Sequence, residues 1–515
     1  MLKKNRDVKA LIIFGLIFFT PIYGIMFSSL TPVNKINTAN NLRSSAPYYN
    51  IVIDDLPGSL SNWSWAVTQP WFGGGSGTEL DPYILEDLIV DGNLTDNCIS
   101  ISNSDAYFII RNCTFLNSSS GISDGGIYLN NVTNGKINNN YFHNHRNAAI
   151  YATLSDYNIV SENTIENHRH GVYMNGNYNK ILSNSLYGDG TGSGIVIQGS
   201  YHDNLFDGNI IEHCWQGMFI WNAINNNFSR NIGFKNIQYG IALTASANNN
   251  LLSDNIVLNN SLSGIIIENS VGNTIEGTEA RGNMQHGIYL TNGDDTTIYY
   301  NKLIENVLDG VHLATGSANN LIYRNFFGGN GRHAFDDGAI NDWNSTSIGN
   351  YWDNHTGPDT SPVDGIVDNP YLYINGGAAS IDYLPIAEDG PPVIIINSPI
   401  EDQTFGINAP NFDIRVTDVF ILDMWYTIDG GSTKYFFTTN GTIDQTVWDA
   451  LPEGIITITF YANDTGGYLS SESVNIVKSI PDDNTLLITI IIVSIVSGIA
   501  VVVTVLLNQR RKARE

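Results

Sequence analysis

The chain has three cysteines in 515 residues, Cys98, Cys113 and Cys214. They are too few, and odd in number, for a disulfide framework, so stability has to come from a core. Basic residues are also scarce: 24 Lys plus Arg stand against 50 Asp plus Glu, for a formal net charge of −26. A surface of that sign repels a phosphate backbone, which excludes nucleic acid as a partner, and it attracts cations. No Gly-rich phosphate loop follows a strand, and neither a CxxC pair nor an HExxH helix occurs. Nucleotide, thiol-redox and zinc-protease signatures are therefore missing.

Long apolar runs are confined to the ends. Lys3, Lys4 and Arg6 precede an apolar stretch from Ala10 to about Phe27. That pattern reads as a secretory signal over residues 1–28, with an uncleaved anchor as the alternative. Leu486 to Leu507 carries no charge and is followed by Arg510, Arg511, Lys512 and Arg514. Its length and basic flank predict one membrane span with residues 508–515 in the cytoplasm, which places the main part of the protein on the outer face. Eleven Asn-x-Ser/Thr sequons, from Asn62 to Asn463, are compatible with that address and with chance in an Asn-rich chain.

What the sequence does have is a repeat. A small residue followed by an apolar–variable–apolar triplet recurs at Gly126, Ala149, Gly171, Gly194, Gly217, Gly240, Gly264, Gly287, Gly310 and Ala334. The spacing of 22 to 24 residues predicts one stacked unit per period, a parallel β-helix with about 23 residues per coil. Counting the small residue as position zero, the residues one and three further on are apolar in every coil before the last, and the one between them varies. Period-two alternation turns the apolar pair inward and the variable residue outward. A second strand follows in each coil, as at Ile137–Phe142, with a recurring Asn (Asn140, Asn163, Asn184, Asn209, Asn231, Asn255, Asn301, Asn325) read as a bend and as a ladder between coils. The expected organisation is an N-terminal segment at 29–79, a β-helix with its cap at 80–390, and a small β-sandwich at 391–480. The membrane helix at 486–507 follows. The fold class is all-β.

Several segments resemble the NosD-type right-handed β-helix family. They are Gly77-Thr78-Glu79-Leu80-Asp81-Pro82-Tyr83 with Asp91-Gly92, Gly349-Asn350-Tyr351-Trp352-Asp353, Asp364-Gly365-Ile366-Val367-Asp368-Asn369-Pro370-Tyr371, and Asp382-Tyr383-Leu384-Pro385. The resemblance implies a right-handed coil over about residues 80–386 and a periplasmic or surface protein. The family's founding relatives are linked to copper delivery, but no ligand motif carries over. The last segment before the membrane helix resembles an immunoglobulin-like domain. The β-helix fold also hosts pectate lyases, glycosidases and epimerases, so it does not name a chemistry.

Four clusters are candidate sites. The slot before position zero holds His286, Asp309 and His333 on successive coils, and the outward slot holds Tyr289, His312 and Asp336. Imidazoles and carboxylates converging there fit proton transfer or metal ligation, and an exposed polar ladder is the structural alternative. Asn144-His145-Arg146 is repeated one coil later as Asn167-His168-Arg169, flanked by His143 and His170. Four imidazoles at one corner suit copper or zinc, Arg146 and Arg169 suit an acidic sugar, and plain coil duplication suits neither. Tyr128, Tyr151 and Tyr173 form an outward aromatic row that serves a glycan or only itself. Asp359, Asp364 and Asp368 in the cap resemble a calcium loop with irregular spacing. The expected function is binding or scaffolding of polysaccharide or surface-layer components at the envelope. A carbohydrate-active lyase, hydrolase or epimerase at 286–337 is the alternative, and copper or zinc handling the third reading.

Overall fold

In the computed structural model, residues 46–119, 121, 124–355, 357–360, 365–387, 391–418, 421–464 and 468–480 are described. The expected signal and membrane helix lie outside them, and among the described residues no helix is long and apolar enough to cross a membrane. The chain divides into two compact units after Phe219.

In the first unit the coils contribute to three strand rows rather than two, and two of these rows merge into one long strand at Tyr141–Thr153 and at Thr164–Asn175. One row runs through Ile51–Asp54, Ile99–Ser104 and Gly125–Val132, then the later halves of Tyr141–Thr153 and Thr164–Asn175, and Ile195–Gln198. All neighbours in it are parallel. Val172 pairs with Ile150 on one side and Ile195 on the other. All three are buried, so residues one period apart do become vertical neighbours. The predicted second strand is two strands, as at Gly135–Asn138 and from Tyr141 onward. The chain breaks between them because Asn139 takes φ 55°, as do Glu162 (55°), Ser183 (52°), Arg230 (53°), Asp254 (52°) and Arg324 (53°) in other coils. The left-handed residue is thus the one before the recurring Asn. The Asn itself points inward: Asn140 N donates to Asn163 Oδ1 and Asn163 N to Asn184 Oδ1, each at 3.0 Å.

The second unit repeats the plan through Ile241–Thr244, Ile265–Val271, Ile288–Asp294, Asp309–Leu313 and Arg332–Asp336, all parallel. Position zero is small because the coils approach closely: a Cβ on Gly287 would stand 2.7 Å from the Gly310 carbonyl oxygen. Thr278 replaces Asn in its coil yet still donates its N–H to Asn301 Oδ1, so the ladder runs on from Thr278 into the following coils. The ladder ends on a carboxylate: Asn325 N donates to Asn350 Oδ1, and Asn350 N to Asp382 Oδ2 at 2.8 Å. Asp382 also accepts from Trp352 Nε1.

Beyond residue 390 lie two small sheets. Val393–Ser398, Asn411–Thr417 and Gly441–Thr442 form one; Thr404–Phe405, Leu469–Lys478, Gly454–Asp464, Ile421–Ile428 and Tyr435–Phe437 form the other. Phe412, Ile414, Tyr426, Trp448, Ile458 and Phe460 bury a common core between them. A short helix, Gln445–Ala450, capped by the Asp444 side chain, was not legible in the alternating pattern around it.

Candidate functional site

The last full coils of the second unit carry the densest polar cluster. Strand Asp309–Leu313 pairs with Arg332–Asp336 so that Asp309 faces Arg332, His312 faces Phe335 and Leu313 faces Asp336. His333 therefore occupies position zero of its coil, and Ala334 does not. The small-residue rule misassigns this coil by one place, whereas an unbroken 23-residue step from Gly310 reaches His333. The slot before position zero holds His286, Asp309 and Arg332, and the outward row is Tyr289, His312 and Phe335.

This register corrects two of the expected members. Asp336 lies in an inward slot, fully buried. Its carboxylate accepts from Gly338 N, Asn341 Nδ2, Trp343 Nε1 and Ser380 Oγ, which makes it a cap of the core rather than part of the patch. His333 turns to Asp353, 2.7 Å away, beside Phe327 and Trp352. Burial lowers its pKa, and Asp353 opposes that shift.

Asp309, His286 and His312 do come together. Asp309 is wholly buried, and its Oδ2 lies 2.7 Å from His312 Nδ1 and 2.9 Å from His286 Nδ1. The His312 contact is a hydrogen bond. The His286 nitrogen approaches closely but off the direction of a hydrogen bond, and it has no other partner, although its side chain is only 9% exposed. Arg332 closes the other side, donating from Nε to Oδ1 at 2.6 Å and from Nη2 to Oδ2 at 3.0 Å. Burial alone raises the Asp309 pKa; the His286, His312 and Arg332 contacts outweigh it and hold the carboxyl well below the usual carboxylate range. The rings fix one another: His312 stacks on Phe335 at 4.5 Å, meets Tyr289 edge-on at 5.1 Å and lies 4.4 Å from His286. Arg332 covers Phe335 at 4.6 Å.

One ligand atom each from His286, Asp309 and His312 lies within 4.8 Å of the others. Two imidazole nitrogens and a carboxylate oxygen are a donor set for copper or zinc. The buried His286 Nδ1 faces Asp309 Oδ2 at 2.9 Å and finds no other polar partner, so an ion placed against Oδ2 comes within its reach. Oδ1 can keep its Arg332 hydrogen bond while Oδ2 serves the ion, a common outer-shell arrangement. The residues fit a transition-metal ion.

The other clusters do not gather in this way. His145 and His168 are fully inside the coil wall: His145 bonds Ser118 Oγ and the Phe115 carbonyl, and neither nitrogen of His168 has a partner. Burial lowers their pKa values to about 3 and about 4. His143 faces Glu166 at 3.9 Å, and His170 Nδ1 accepts from Ser193 N. Arg146 is exposed, and its duplicate Arg169 is also exposed. Tyr151 and Tyr173 stack at 4.7 Å and 17°, with Tyr128 6.0 Å from Tyr151. Their faces are turned to each other along the coil axis, which leaves rims and hydroxyls for any ligand. In the cap, Asp359 accepts from Gly365 N and Asp368 from Thr360; Asp364 lies outside the described residues. Arg332 was missed among the expected residues, and the signal that finds it is the constant 23-residue step from His286 through Asp309.

Residues 190–357 match the family model described as periplasmic copper-binding protein (NosD), and residues 76–232 match the right-handed β-helix region. Comparison with curated proteins finds no match. Among solved structures, the periplasmic alginate epimerase AlgG is similar at 13% identity and TM-score 0.38, over 57% of this chain and 83% of that one. The Dettilon tailspike protein follows at 12% and 0.32, over 76% and 84%. The catalytic domain of a GH87 α-1,3-glucanase stands at 13% and 0.36, over 60% and 70%. These likenesses are distant and carry nothing about activity. Both family matches fall on the coils described above, so over residues 76–357 this chain is similar to the right-handed β-helix and NosD models.

Proposed function

We propose that this is an extracytoplasmic β-helix protein that binds a transition-metal ion, copper or zinc, through His286, Asp309 and His312. The observation that carries the reading is the convergence of their three ligand atoms within 4.8 Å, with the buried His286 Nδ1 lacking a hydrogen bond. The copper-binding description of the family model, matched over the residues that include this cluster, supports it. The chain's own residues divide the work. Asp309 supplies the negative charge, the two histidines supply nitrogens, and Phe335 and Tyr289 hold the His312 ring in place. Bound copper would be cargo or a one-electron centre. A place on the outer face, held by a single C-terminal membrane span, belongs to the same proposal. Titration of the full chain with Cu²⁺ and Zn²⁺ tests it: about one tight equivalent is expected, lost on His286→Ala combined with His312→Ala.

A second reading keeps the site and changes the ligand. His312 donates from Nδ1 to Asp309, so that tautomer leaves Nε2 to accept a proton, with the Arg332 guanidinium beside it. That is a base next to a carboxylate-binding cation, suited to an acidic polysaccharide or envelope component. Retention on an array of acidic glycans that is lost with Arg332→Ala supports this reading, and a blank array removes it.

A further inference from the structure

Arg332 is the member of the cluster that a metal site does not need. Three groups converge on Asp309 Oδ2: His286 Nδ1 at 2.9 Å, His312 Nδ1 at 2.7 Å and Arg332 Nη2 at 3.0 Å. Each imidazole can offer an ion a nitrogen lone pair. The guanidinium offers none, since every nitrogen it carries is a donor. An ion that takes Oδ2 must therefore displace Nη2 and then sit close to a fixed positive charge. The clasp is held from outside as well, because the guanidinium lies 4.6 Å over the Phe335 ring. Yet its side chain is 42% exposed, so it can swing away from Oδ2 without leaving a buried charge.

Building on the metal-binding proposal, we infer that Arg332 is a built-in competitor that weakens the His286–Asp309–His312 site and keeps its ion exchangeable. A site made for permanent retention surrounds its carboxylate with neutral hydrogen-bond donors. This one keeps a cation on both oxygens of its only carboxylate. The residue thus sets affinity, and it fits a protein that takes up and gives up an ion over one that stores it.

The test compares the full chain with Arg332→Gln, Arg332→Lys and the His286→Ala/His312→Ala double variant. Cu²⁺ and Zn²⁺ are titrated against a chromophoric chelator, with thermal unfolding run alongside to confirm that each variant is folded. Removing a unit charge this close in a partly buried setting should tighten binding at least about tenfold in Arg332→Gln. Arg332→Lys keeps the charge and should stay within about threefold of the parent, since like charge is the cause invoked. If the parent binds one equivalent and Arg332→Gln binds equally or more weakly, the competitor role is wrong and the site stands. If parent and Arg332→Gln both bind no more than the double-histidine variant, the metal reading itself fails, and this inference with it.

Discussion

His145 and His168 come from the same tripeptide on adjacent coils, pair with each other in register, and differ in what they touch. His145 finds a hydroxyl and a carbonyl; His168 finds neither. A buried polar ring without partners costs about 1–3 kcal/mol, so His168→Leu should raise the melting temperature, whereas His145→Leu, which strands Ser118 and the Phe115 carbonyl, should lower it. Both imidazoles have folded pKa values depressed by burial, to about 3 and about 4. Neutral rings therefore stabilise the fold fully above the unfolded value of about 6.5, and that contribution is lost as pH falls through the folded values. Unfolding followed from pH 7 to pH 4 should show the decline, and His168→Leu should flatten it. The repeated histidines were legible in the sequence, but their direction was not: a period-two count assigns faces within a strand, and these residues sit where Asn144 and Asn167, at φ 61° and 50°, interrupt the alternation.

At the scale of the element, the asparagine ladder explains why short strands hold. Asn184 accepts from Asn163 and donates to Asn209 and the Val160 carbonyl, all buried. Asn184→Ala leaves several of these groups unpaired and should cost roughly 2–4 kcal/mol in denaturant unfolding. The recurrence of Asn showed the ladder in the sequence; its carboxylate terminus at Asp382 was not legible, because a cap that closes a solenoid is not itself periodic. Burial raises the Asp382 pKa to about 6 despite the hydrogen bonds it accepts from Asn350, Trp352 and Leu384. A raised folded pKa means that the stabilisation is complete below the unfolded value of about 3.9 and is lost as pH rises through about 6. His145 and His168 act in the opposite direction over the same window, so Asp382→Asn should be read as a difference: its melting temperature should rise more steeply than the parent's between pH 4 and pH 6. The position of Arg332 belongs to this scale too. One misplaced anchor at Ala334 shifted the last coil by one residue, which in a strand moves every side chain to the other face. Asp336 was drawn outward and Phe335 inward by that slip alone.

At the scale of the molecule, each unit buries apolar rows that no single coil can bury by itself, so the period was the dominant signal in the sequence. A period reports architecture; it does not report a ligand. The proposed metal site lies in a slot that the repeat does not hold constant, where successive coils carry His286, Asp309 and Arg332 and three earlier coils carry Gln216, Tyr239 and Ser263. The net charge of −26 favours arrival of cations at such a slot and at carboxylates elsewhere on the surface. Stoichiometry by itself is then a poor judge, and the identity of the ligand atoms is the better one. The most direct measurement is the electron paramagnetic resonance spectrum of the full chain loaded with one equivalent of Cu²⁺. Nitrogen hyperfine structure from two imidazoles in the parent, reduced to one in His286→Ala or His312→Ala, is the predicted result. A spectrum unchanged by either substitution would contradict the account.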